Sequence, residues 1–114
     1  MRAKSLSDIL KKGDRIAVSN ITGREASKVS IISQRYCRNI VAGWALGKDG
    51  QTVDVPGGKP IPVFGQIEDL FSALSDAKKP NKIIVYSPPE AVYGDVKEVL
   101  EHGKKFVETI FVIT

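Results

Sequence analysis

Short apolar runs and amphipathic stretches alternate along this chain. Ile16-Ala17-Val18, within Arg15 to Ser19, reads as a buried strand. It breaks at Asn20 to Gly23, and Val29, Ile32, Ser33 and Tyr36 then recur at the spacing of one helical face, predicting helix to about Cys37. Asn39 to Trp44 is a second strand. Leu46 to Gln51 is turn chemistry, and Val53 to Lys59 a glycine-rich loop or small hairpin. Ile61-Pro62-Val63-Phe64 is a third strand, whose proline suits a strand end or an edge. Gln66 to Leu74 is an amphipathic helix with Ile67, Leu70, Phe71 and Leu74 on one face. Lys82 to Ser87 is a strand, and Pro88-Pro89 opens a helix to about His102 with Val92, Val96, Val99 and Leu100 inward. Phe106 to Ile113 is the last strand, and Ser5 to Gly13 a short leading helix.

This order predicts one α/β domain over residues 1–114. Its sheet is parallel, of about five strands, with helices on both faces and right-handed crossovers. Ligands of such sheets bind beyond the carboxyl ends of the strands. The turns there bring Thr22, Gly23, Arg24, Lys48, Tyr86, Ser87 and Pro88 towards one rim. A strand that turns through Thr22-Gly23 into a helix offers free N–H groups and the positive end of the helix dipole, which suits phosphate, pyrophosphate or carboxylate. Arg24 and Lys28 add positive charge at the same mouth.

Composition changes this picture little. At 114 residues, 42% apolar and 26% charged, the chain can bury a core without disulfides or metals. Its single cysteine, Cys37, has no internal partner, so a reducing cytoplasm is expected. No apolar stretch reaches membrane-spanning length. The net charge of +4 fits a polyanionic ligand, but the lysines are dispersed among Asp and Glu, which disfavours nucleic acid.

A nicotinamide dinucleotide would want G-x-G-x-x-G and a carboxylate ending the second strand. Here Gly23 stands alone and that strand ends in Gly43-Trp44, which disfavours NAD; NADP is less disfavoured, because Lys48 could meet a phosphate. No P-loop is present. No metal-ligand cluster or nucleophile–base set is visible either.

Asn20 to Ala26 resembles the G-F-T-G-x-x-G turn of the CoA-binding domain in succinyl-CoA synthetase alpha subunits and related acyl-CoA ligases. Val41 to Gly50 is similar to that family's V-G-G-V-x-P-G-K-G-G, and Pro62-Val63-Phe64 with the helix after it resembles a further segment. Ile84 to Pro89 is similar to its apolar strand ending in V-P-P, and Ile110 to Thr114 to its strand leading into T-E-G. The resemblance implies a Rossmann-like domain that binds coenzyme A. Thr22, Gly23, Arg24 and Glu25 would hold the phosphates, Lys48 would contact the adenosine and phosphate end, and Tyr86, Ser87 and Pro88 would line the nucleotide and pantetheine path. It also implies a ligase domain or subunit as partner, because the family's phosphorylated histidine belongs to a second domain. His102, at a helix end, does not match that role, so no catalysis is expected of this chain alone.

The chain departs from the family's pattern at Asn20, Ala26, Leu46 and Asp49, and Asp49 sets a negative charge beside the proposed phosphate site. Trp44 could stack on an adenine or pack at a strand end, and Tyr86 is core or ligand wall. Glu25 is also a carboxylate at a helix start, and Glu90 and Asp95 with Lys97 read as a surface helix face. The alternative function is a regulatory module that binds NADP or another nucleotide.

Overall fold

Six strands form one sheet in the computed structural model, which describes residues 14–23, 26–28, 30–31, 34 and 40–113. They are β1 (Ile16–Ser19), β2 (Ile40–Trp44), β3 (Thr52–Val53), β4 (Ile61–Phe64), β5 (Lys82–Val85) and β6 (Thr109–Val112), in the spatial order β3-β4-β2-β1-β5-β6. All neighbouring pairs are parallel except β3 with β4. Residues 26–28, 30, 31 and 34 are helical, and helices α1 (Ile67–Ala73) and α2 (Pro89–Gly103) follow β4 and β5. The expected leading helix at 5–13, Arg24, Glu25, Cys37 and much of the first helical face lie outside the described residues.

Side-chain alternation along the strands builds a core on each face of the sheet. Ile16, Val18 and Ile84 join Ile21 and Ala26 on the face covered by the helix after β1. Ala17, Ile83 and Val85 join Ile67, Leu70, Phe71 and Val99 beneath α1 and α2. Burying each of the Ile, Val, Leu and Phe side chains contributes about 1.5–3 kcal/mol, so two-sided coverage is what stabilises so short a set of strands. α1 and α2 meet where Gly103, buried, lets the Phe71 ring approach; a Cβ there would stand 2.5 Å from that ring.

The structure adjusts several expected details. The sheet has six strands rather than about five, because residues 52–53 pair with β4 as a small hairpin. Pro62 is therefore not on an edge, yet the β2–β4 ladder starts only at Gly43 and Val63, so Pro62 precedes the parallel bonds its missing N–H would break. Leu100, expected inward, is 51% exposed, because Val99 and Gly103 occupy the inward arc of α2.

The amino ends of β1, β5 and β6 are tied together by Asn81. Its Oδ1 accepts from the Arg15 N–H at 2.7 Å, and its Nδ2 donates to Asp14 and Glu108 at 3.0 Å each. Lys82 Nζ reaches Glu108 at 3.2 Å. The hydrogen bonds from Asn81 and Lys82, with the Lys82 charge, hold the Glu108 carboxyl below its ordinary value of 4.5. A depressed carboxyl adds stability above its unfolded-state pKa and loses it as pH falls through the folded one. Acid titration of Glu108→Gln should thus show a shallower loss of stability than wild type below about pH 4.5. Superimposable acid limbs in urea denaturation series would show that this contact adds nothing.

Candidate functional site

From β1 the chain winds outward through β2 to β4, then returns to the other side of β1 to lay down β5 and β6. The direction reverses between β1 and β5, and the helices leaving these strands lie on opposite faces. A crevice opens at that point, beyond the carboxyl ends of the strands. Its volume is about 550 Å³, and its lining includes Ser19, Asn20, Trp44, Gln66, Ser87, Pro88, Asp95 and Glu98.

The floor is a polar stitch between the two strand ends. Ser19, buried, accepts from the Tyr86 N–H at 2.6 Å through its Oγ. Asn20 has φ 48°, a left-handed conformation that asparagine tolerates better than most residues, and its Nδ2 donates to the Tyr86 carbonyl at 3.1 Å. Asn20 thus takes up at this turn a conformation that glycine adopts freely. Ser87 Oγ lies 3.5 Å from Ser19 Oγ and donates to the Asp95 carboxylate. Asp95 is accordingly part of the crevice and not only of a surface face. Pro88, Ala91, Asp95 and Glu98 recur at helical spacing along one flank of α2, a signal present in the sequence beside the Pro-Pro helix start.

The expected site residues separate into two groups. Trp44, Ser87 and Pro88 line the crevice. Trp44 is only 6% exposed, its ring packed into the core beneath α1, so just a margin of it faces the opening. Tyr86 contributes its backbone to the floor, while its side chain packs with the core of the opposite face. Thr22 and Gly23 are exposed at the end of β1, and the Gly23 N–H is engaged with the Asn20 carbonyl at 2.7 Å. An anion there would need other donors from the turn. Arg24 and Glu25 lie outside the described residues.

Lys48 is exposed in the loop after β2. The Gly50 N–H donates to the Val63 carbonyl and the Val63 N–H to the Gln51 carbonyl, so the loop folds back along β4. Asp49 braces it by accepting from the Gly65 N–H at 3.2 Å. Since β1 and β2 are neighbours with Ser19 level with Trp44, the Thr22-Gly23 turn and the Lys48 loop share one rim, Lys48 towards its β4 side. The charged side chains lining the crevice among the described residues, Asp95 and Glu98, are acidic and stand on α2. Ser19, Asn20, Gln66 and Asp95 were missing from the expected set: Asn20 and Gln66 stand in turns at the carboxyl ends of β1 and β4, while Ser19 and Asp95 are joined only through Ser87.

No family model and no curated protein matches the chain. The likeness to acyl-CoA ligases therefore rests on the short segments quoted from the sequence. His102 is exposed in the last turn of α2, and among the described residues no group of three or more His, Cys, Asp or Glu side chains is placed to hold a metal ion. No described helix is long and apolar enough to cross a membrane.

Proposed function

We propose that this chain binds coenzyme A across the carboxyl ends of its strands, as a binding module without catalysis of its own. The observation that carries the reading is the crevice at the reversal of strand order, flanked by the Thr22-Gly23 turn and the Lys48 loop on one rim. The segment likenesses to succinyl-CoA synthetase alpha choose coenzyme A among phosphorylated nucleotides. In this reading the phosphates lie between the turn after β1 and the exposed Lys48 on the β4 side of the rim, away from Asp95 and Glu98 on α2. The uncharged, hydroxyl- and amide-bearing part of the ligand faces Ser19, Asn20, Gln66 and Ser87. The partner implied is a ligase domain or subunit that supplies the reacting groups.

Calorimetric titration with coenzyme A should show saturable binding that weakens with salt, and Lys48→Ala should weaken it about three- to tenfold. No heat at millimolar coenzyme A would end the proposal. A thermal-shift panel separates the alternative reading: ligand at 100 times its Kd stabilises by about 2.7 kcal/mol, so a larger shift with NADPH than with coenzyme A would favour the regulatory nucleotide module.

A further inference from the structure

A second, smaller cavity of about 280 Å³ lies at the amino ends of β2 and β4, across the sheet from the crevice. Its lining among the described residues is Gln34, Gly57, Gly58 and Lys59. Gln34 stands in the helix after β1 and is only 5% exposed. Its Oε1 accepts the Ile40 N–H at 2.9 Å, where β2 begins. That bond fixes the amide and leaves Nε2, which carries both donor hydrogens, for the cavity. Ser30, one turn earlier on the same helical face, is also buried, and its Oγ has no hydrogen-bond partner among the described residues.

The glycines belong to a tight turn. The Gly58 N–H donates to the Val55 carbonyl at 2.9 Å, with Pro56 and Gly57 between them. Proline holds the first central position at negative φ and Gly57 takes the second at φ 78°, the form of a type II turn. Val55 is buried and fastens the turn to the core, and a Cβ on Gly58 would stand 2.9 Å from the Val55 side chain. Lys59 follows, with Pro60 after it favouring an extended backbone. It is the one charged side chain of the lining among the described residues. With Gln34 Oε1 committed to Ile40, the side-chain groups that remain for a ligand are donors.

We propose that this cavity binds a small oxyanion, a carboxylate or phosphate group, independently of the crevice. Gln34 Nε2 and Lys59 Nζ donate to its oxygens. The volume falls just below the roughly 300–1,000 Å³ of pockets for drug-sized ligands, so a group of a few heavy atoms fits and a nucleotide does not. A cation would meet the Lys59 charge, and an apolar ligand would strand the buried Gln34 amide against carbon.

Amide NMR titration of the full chain with acetate, and separately with inorganic phosphate, tests this at fixed ionic strength. At least one anion should move the Gln34 side-chain NH2 and the Gly57, Gly58 and Lys59 signals along one saturable curve, with a Kd of about 1–10 mM. Saturation by acetate alone assigns a carboxylate site, and by phosphate alone a phosphate site. Shifts at Thr22 and Gly23 report the other end of the sheet and do not count. Lys59→Gln, at an exposed position, should raise the Kd about three- to tenfold. Gln34→Glu keeps an oxygen for the Ile40 N–H but replaces the donor with a negative charge, so it should abolish saturation with an unchanged far-UV spectrum. Should that variant not fold, Lys59→Gln decides alone. No saturation by either anion up to about 100 mM, or wild-type affinity in Lys59→Gln or in a folded Gln34→Glu, would overturn the proposal.

Discussion

Gly43→Ala should lower the unfolding free energy by about 1–3 kcal/mol, the usual effect of forcing an extra methyl into a filled site. A Cβ at Gly43 would lie 2.5–2.6 Å from Ile21, and the Ile21 Cβ is among the atoms it meets. The clash is therefore with the branched root of a fully buried side chain and not with a flexible tip. Ile21 sits in the turn that leaves β1, so β2 can relieve the contact only by displacing that turn. Ile21→Ala removes the offending atoms at its own cavity cost of about 2–5 kcal/mol. In the double variant the two losses should sum to clearly more than the observed loss, with a coupling of at least about 1 kcal/mol. Simple additivity in denaturant titrations would mean that Gly43 does not hold the turn in place. The same variant bears on function, because the rim carrying Thr22 and Gly23 is positioned by this contact.

The strands were legible because their apolar runs are short and bounded by Asn, Gly and Pro, and Ile16–Ser19, Ile40–Trp44 and Ile61–Phe64 lie close to their expected limits. α1 was legible for the same kind of reason, since Ile67, Leu70 and Phe71 bury as their spacing requires. Where the reading fell short, the deciding contact lay far away in sequence. Leu100 has the chemistry of a core residue, but α2 has room for one inward arc, and the close Phe71–Gly103 approach fixes which arc that is. The site divides likewise. Ser87 and Pro88 were visible at a strand end, whereas the partnership of Ser87 with Ser19 depends on β5 settling beside β1. Asp95 has the pattern of a solvated helix face, and only the Ser87 hydroxyl beneath it gives its carboxylate a second role.

Asn20→Val should cost more than its loss of one hydrogen bond, about 2–4 kcal/mol in total. Asn20 combines φ 48° with a 3.1 Å bond to the Tyr86 carbonyl, and valine keeps neither comfortably. The left-handed conformation costs an ordinary side chain about 1–2 kcal/mol, and more when the side chain is β-branched. The lost bond accounts for about another 0.5–1.5 kcal/mol. Asn20→Gly separates the two causes, since glycine accepts the conformation and forfeits only the bond, and its loss should be near 1 kcal/mol. Equal losses in the two variants, measured by urea unfolding, would show that backbone conformation plays no part at this turn. Because Asn20 ties the end of β1 to β5 across the crevice, both variants should also loosen coenzyme A in the proposed mode. Asn20→Val should loosen it more, by displacing the Thr22-Gly23 rim as well as the floor. Wild-type affinity in a folded Asn20→Val variant would place the ligand away from the junction of β1 and β5.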